Sequence, residues 1–249
     1  MLLLATLLSA PAYATWSIVA VDPETGDVGA AGATCGPFVW KIAQVVPGHG
    51  AVVAQYDTSI SARKDAAVAL EDGATPEEAL AGITAPGYDD DLAVRQYAVA
   101  GLAGPAAAFT GDDCADWNGE RVEEHVAIVG NTLVGEAVVD AARDAFFADE
   151  GALLEERLLA ALEAGAAEGG DQRCDPEDAA KSAFLFVAAE GDDGLTVELT
   201  ASGAGAVATL RDKVDAGKRQ SCHCGAANPS GSWAWLAVLG LAFTRRRTG

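Results

Sequence analysis

Basic residues are scarce in this chain. Lys and Arg number 16 against 37 Asp and Glu, a formal net charge of −21 over 249 residues. That balance excludes nucleic acid as a partner, because binding a phosphate backbone needs a basic footprint. It fits a soluble exported protein, or one from a salty habitat. Histidine is rarer still, with 3 in the chain, and nothing near His49 or His125 completes a catalytic triad or a metal set. Cysteine is limited to 5 residues. Cys35, Cys114 and Cys174 lie in the body; Cys222 and Cys224 sit together near the end. Cys222-His223-Cys224 lacks the separated second pair that a zinc site needs. The run Asp89-Asp90-Asp91 lacks the ligand spacing of a calcium loop and reads as solvated loop. No metal and no cofactor are expected. There is also no internal repeat and no linker within 15–216. With 50% hydrophobic residues, that stretch reads as one domain with a substantial core.

The two ends have patterns of their own. Residues 1–14 carry an apolar run, Leu2 to Leu8, then Pro11 and the small-residue end Ala12-Tyr13-Ala14. This is the h-region and A-x-A cleavage site of a signal peptide, although no Lys or Arg precedes the run. It is too short to cross a bilayer as a helix. Export is expected, and with it an environment that permits a disulfide. Three body cysteines leave one odd, and the pairing among Cys35, Cys114 and Cys174 stays open. At the other end, residues 217–232 form a Cys-containing Gly/Pro/Ser spacer. Residues 233–249 hold an apolar helix from Trp233 and the cluster Arg245-Arg246-Arg247. A cysteine motif, an apolar helix and terminal arginines together resemble the myxobacterial C-terminal sorting signal (MYXO-CTERM). The resemblance implies contact with the membrane through the C-terminal helix before processing near Cys222 and Cys224. The protein would then reach the cell surface, the outer membrane or the medium.

Along the body, strands and helices come in groups. Thr15 to Val21 and Val28 to Thr34 read as strands turned at Asp22-Pro23-Glu24-Thr25-Gly26-Asp27. Gly50 to Gln55 reads as a third strand, followed by a helix from Ser59 to Asp72. A capping box with proline at the first helical position, Thr75-Pro76-Glu77-Glu78, opens a helix to about Ile83. Val94 to Ala100 and Ala106 to Thr110 read as a strand pair, and Gly111 to Arg121 as a loop. A strand over His125 to Val129, helices over Glu136 to Ala148 and Leu153 to Ala164, and a hairpin of Ser182 to Ala189 with Leu195 to Thr200 follow. A last helix covers Ala206 to Asp215. Strand groups interleaved with helix pairs predict an α+β fold, sheets covered by helices.

Cleavage after Ala14 would make Thr15 the first residue. Thr15 would then carry a hydroxyl nucleophile and a free α-amine that titrates near ~7.7–8. An amine of that basicity serves as the base in Thr–N-terminus hydrolases. The plainer alternative is that small or polar residues often follow signal peptides.

Several motifs then coincide in order: Thr15-Trp16-Ser17-Ile18-Val19-Ala20 with Asp22-Pro23-Glu24-Thr25-Gly26, Arg95-Gln96, and Ala108-Phe109-Thr110-Gly111 with Cys114 and Trp117. Gly130-Asn131 with Leu133 and Gly135, Gly169-Gly170-Asp171 with Arg173, and Ser182-Ala183 complete the series. From Thr15 to Asp215 the chain resembles the family called domain of unknown function 1028 (DUF1028), which is similar to the N-terminal-nucleophile (Ntn) hydrolases. The resemblance implies a four-layer αββα sandwich and an amidohydrolase acting on a small-molecule or peptide amide. Association as a homo-oligomer would fit such relatives. Thr15 is expected as nucleophile and amine base, and Asn131 as oxyanion donor or, alternatively, a turn or cap residue. Asp171 with Arg173 is expected as a positioning pair or a surface ion pair. Gln55 is read as substrate-binding, and Arg95 as substrate anchor or structural partner. Cys174 and the acidic insert Asp175 to Asp178 depart from the family pattern, as does the segment after Gln55, so substrate choice does not carry over. Lys41, the sole early lysine, does not match the spacing of the lysine in proteasome-type enzymes. The alternative function is a non-catalytic, surface-displayed binding domain on the same scaffold.

Overall fold

The computed structural model describes residues 15–115, 117–175 and 177–223. Residues 1–14, Cys224, most of the spacer and the apolar helix expected at 233–249 lie outside them. Among the described residues no helix is long and apolar enough to cross a membrane.

Among the described residues ten strands form two antiparallel sheets, and five α-helices flank them. The strands of the larger sheet are β1 (Thr15–Val21), β2 (Val28–Thr34), β7 (Trp117–Val122), β8 (Val126–Leu133), β9 (Ser182–Ala188) and β10 (Val197–Ser202), in the order β10-β9-β2-β1-β8-β7. The smaller sheet is ordered β3-β4-β5-β6, from β3 (Ala43–Val46), β4 (Gly50–Tyr56), β5 (Arg95–Gly101) and β6 (Gly104–Thr110). The helices are α1 (Ile60–Glu71), α2 (Pro76–Ile83), α3 (Ala137–Phe147), α4 (Leu154–Ala167) and α5 (Ala206–His223). The compact body closes at Val214. The fold is mixed α+β.

Side chains alternate between the two faces of a strand, and that alternation sorts the core. Trp16, Ile18 and Ala20 of β1 face one way and pack with α3, α4 and α5. Val19 and Val21 face the other way and meet Val53, Ala98 and Val129 between the sheets. Val52, Ala54, Tyr97 and Val99 cover α1 and α2. Trp16 seats against bare backbone. A Cβ on Gly165 would come within 2.7 Å of its indole nitrogen, and one on Gly170 within 2.8 Å of its ring. Gly170 also holds φ of 55°, a conformation that favours glycine. The Trp16 ring thereby sets the position of the loop that carries Asp171.

Most expected elements are present, with their ends shifted. Two strands were missed. β3 is short and half-buried. β7, in the segment expected as loop, is an edge strand containing Asn118 and Gly119, residues depleted in strands. The last helix continues to His223 rather than stopping near Asp215, because no proline intervenes. The Asp89–Asp91 run is not wholly solvated either. Arg95 shares the face of Tyr97, the side toward α1 and α2, and its Nε donates to Asp89 Oδ2 at 2.8 Å. Its Nη1 reaches Asp57 at 2.7 Å, and Asp91 lies 3.7 Å from Nη2.

The Arg95 hydrogen bond holds the Asp89 carboxyl below its ordinary value of 3.8, against the opposing effect of burial. A depressed carboxylate contributes stability above its unfolded pKa and loses it as pH falls through the folded one. The melting-temperature gap between the native protein and Arg95→Gln should therefore be constant above about pH 4 and shrink below it. Thermal melts at a series of pH values check this; a gap that stays constant to the lowest pH would dissociate Asp89 from Arg95.

Candidate functional site

The layer between the sheets changes character along its length. At the Val21 end it is apolar. At the Thr15 end the inward positions are Thr15, Ser17, Thr34, Gln55, Gln96, Asn131 and Ser182, all buried. Thr15 begins the central strand, opposite Thr34 on β2 and Asn131 on β8.

A relay of amides fastens this end. Ser17 Oγ donates to Gln55 Oε1 at 2.7 Å. Gln55 Nε2 donates to the Thr15 carbonyl at 3.1 Å and to Gln96 Oε1 at 2.7 Å. Gln96 Nε2 donates to the Gly130 carbonyl at 2.8 Å and to Thr110 Oγ1 at 3.0 Å. Gln96 Oε1 must therefore accept, and Asn131 Nδ2 donates to it at 2.9 Å. Each amide fixes the orientation of the next. The relay ends on Asn131 Oδ1, which is buried with no hydrogen-bond partner among the described residues. A buried acceptor without a partner costs about 1–3 kcal/mol and calls for an explanation.

A carboxylate approaches from the other flank. Asp171 makes an isolated bridge with Leu133 at the end of β8. Its Oδ2 accepts the Cys35 N–H at 2.6 Å and Arg173 Nη2 at 2.6 Å; its Oδ1 accepts the Arg173 N–H at 2.9 Å. The Thr34 hydroxyl lies 3.4 Å from Asp171 Oδ2 and 3.3 Å from Arg173 Nη2. The pair is no surface ion pair, since the Asp171 side chain is 0% exposed. A Cys35–Cys174 disulfide, with Cα atoms 5.5 Å apart, ties the end of β2 to this loop. That settles the pairing left open by the sequence. Cys114 is free and buried, and burial pushes its thiol up to about 11.

A cavity of about 280 Å³ opens beside Thr15. Thr15, Thr34 and Gln55 line it together with Phe38, Tyr56 and Ile60. The described non-glycine residues with positive φ surround this region: Phe38 at 61°, Tyr56 at 67°, Thr132 at 52° and Ala179 at 52°. Phe38 and Tyr56 line the cavity. Thr132 follows Asn131, and the Ala179 carbonyl accepts the Asp171 N–H at 3.1 Å. Such conformations cost on the order of 1–3 kcal/mol each and cluster where function requires them. A larger cavity, about 540 Å³, lies at the far end of β1 near Asp22, Glu124 and Arg157. It has no nucleophilic hydroxyl, and its Asp22 caps the β1–β2 turn by accepting the Glu24 N–H at 2.9 Å. Among the described residues no group of His, Cys, Asp and Glu is placed to hold a metal.

Thr15, Asn131, Asp171, Arg173 and Gln55 thus converge on one end of β1. Gln55 is 1% exposed and holds the Thr15 carbonyl. Asn131 is a mid-sheet residue, not a helix cap. Arg95 does not join them, because it lies on the opposite face of its strand and is engaged with carboxylates. Its neighbour Gln96 faces the site instead. Ser17, Thr34, Gln96 and Ser182 were missed. Their signal was polar residues at alternate positions in otherwise apolar strands, ending level with Thr15. Lys41, set aside on spacing, lines the cavity.

The profile of a family of unknown function, DUF1028, matches residues 15–206. The chain is similar to protein SPO2555 from Silicibacter pomeroyi, a crystal structure assigned to the same family. Identity is 30%, the match covers 81% of this chain and 88% of that one, and the TM-score is 0.71. No curated protein matches.

Proposed function

The chain belongs to the DUF1028 family, and from that premise we propose that it is an exported amidohydrolase of the N-terminal-nucleophile type, with Thr15 as nucleophile. Helices α3, α4 and α5 on the larger sheet, and α1 and α2 on the smaller, support an αββα sandwich of the Ntn type. The observation that carries the reading is the place of Thr15: first in a central strand, lining a cavity, opposite a buried acceptor that has no hydrogen-bond partner among the described residues.

In this reading signal-peptide cleavage after Ala14 frees the α-amine. The amine takes the Thr15 hydroxyl proton, directly or through a water, as Oγ attacks the amide carbonyl. The proton passes to the departing amine as the C–N bond breaks, leaving an acyl ester on Oγ. Water, deprotonated by the same amine, then hydrolyses the ester. We assign Asn131 Oδ1 to accept from the α-ammonium, which supplies the partner it lacks. The second hydrogen on Asn131 Nδ2 is the oxyanion donor. Asp171 and Arg173 act at one remove, by positioning Thr34. The resemblance of the C-terminal tail to a sorting signal supports display at the cell surface.

The test is the mature N-terminus. Intact mass and N-terminal sequencing of protein exported by a native-like host should show Thr15 first. An electrophile selective for N-terminal threonine should then add once, at that residue. Any other N-terminus removes the base and favours a non-catalytic binding domain.

A further inference from the structure

The loop after β2 is built as a rigid lip. The Cys35–Cys174 disulfide holds its start. Ser182 Oγ donates to the Gly36 carbonyl at 2.9 Å and accepts the Val39 N–H at 3.2 Å. The Gly36 N–H donates to Thr34 Oγ1 at 3.1 Å. Between these ties Phe38 takes a left-handed backbone with its side chain 55% exposed. An aromatic ring in water on strained backbone gains nothing for the fold by itself. It stands edge-on to Trp40, with ring centroids 5.4 Å apart, and Lys41 Nζ lies 5.0 Å from its centroid.

Among the described residues Lys41 is the only one lining the Thr15 cavity whose side chain is charged. Among the described residues its ammonium makes no ion pair, whereas Arg173 is bound to Asp171. The other described side chains of the lining are uncharged, with an apolar wall from Phe38, Ile42, Tyr56 and Ile60. A cation at the mouth of a cavity whose other described side chains are uncharged favours a ligand with a negative group at that point.

Building on the hydrolase reading, we propose that the substrates are apolar amides that carry a carboxylate on the amine side of the scissile bond, N-acyl amino acids in chemical terms. Lys41 anchors the carboxylate, Phe38 and Ile60 cover the apolar group, and the amide lies over Thr15.

The probe is hippurate, compared with its neutral counterpart N-benzoylglycinamide. Calorimetric titration of the processed full chain carrying Thr15→Ala removes turnover from the measurement. Hippurate should bind about threefold to fivefold more tightly than the neutral amide. The preference should decline as salt is raised, since the anchor is exposed to solvent. Lys41→Met should equalise the two ligands at an unchanged melting temperature, and Lys41→Arg should keep the preference. Equal binding, no binding of either ligand, or a preference that survives Lys41→Met would overturn the inference. The two readings fail separately. A Lys41-dependent preference for hippurate, in a protein whose unmodified form hydrolyses no amide, sinks the hydrolase reading and leaves a carboxylate-binding pocket.

Discussion

Thr15→Ala is expected to cut amide turnover by at least about 10³-fold while the protein stays folded. Removing a nucleophile costs the whole covalent route, and losses of that order or larger follow in hydrolases built this way. The cost in stability is small by comparison. Thr15 is 2% exposed, so the change loses a methyl and a hydroxyl from a packed strand end, about 1 kcal/mol. The amide relay grips the backbone carbonyl of this residue rather than its side chain, and it is retained. Thr15→Ser keeps a hydroxyl and an amine on one residue and should keep turnover. A chain that still carries Ala14 keeps the hydroxyl, lacks the free amine and should be as inactive as the alanine variant. Steady-state assays on the three proteins, with thermal melts beside them, separate the roles. Full turnover in Thr15→Ala would rule out the mechanism.

The second large effect is on stability. Cys35→Ser with Cys174→Ser opens a cross-link between residues 139 apart in sequence. Chain-entropy estimates for loops of that size are about 4–5 kcal/mol. For a body of this length that is a fall in melting temperature of about 10–20 °C. Activity should fall further than stability alone requires, because the bridge also fixes the Cys35 N–H on Asp171 and the start of the lip. Calorimetry of the double variant, with turnover measured well below its melting point, reads both. An unchanged melting temperature would show that the hydrogen bonds around Asp171 suffice to close the loop.

Much of this architecture was legible in the sequence because it depends on local signals. The capping box at Thr75 to Glu78 forms as read, with both of its hydrogen bonds. The Asp22–Asp27 turn was announced by proline and glycine. Thr15 was found through the cleavage-site pattern and Asn131, Asp171 and Arg173 through motif resemblance, and they meet in space although Thr15 precedes the other three by more than a hundred residues. What was lost depended on strand parity and on long-range geometry. Arg95 and Gln96 are adjacent, and the more conspicuous charge was chosen; the pleat turns that charge away from the site and the amide toward it. Lys41 was judged by spacing along the chain, but it reaches the cavity through a 3-10 helix, Val39–Ile42, whose position no motif announces. The orphaned Asn131 oxygen belongs to a relay spanning both sheets, invisible until their register is known.

The strand order has a consequence for how the chain folds. β1 sits at the centre of its sheet, and its Thr15 pairs on one side with Asn131 of β8. On the other flank Thr34 of β2 pairs with Ser182 of β9. Of these three contacts β1–β2 is a local hairpin, whereas β1–β8 and β2–β9 wait until most of the chain is available. Such high contact order places folding toward the slow, millisecond-to-second end for domains of this type. In the proposed export route β1 crosses early with β2 as its hairpin partner, and its other edge waits for β8. The surroundings of Thr15, which draw on β8, β9 and the Asp171 loop, are therefore among the last parts of the body to assemble.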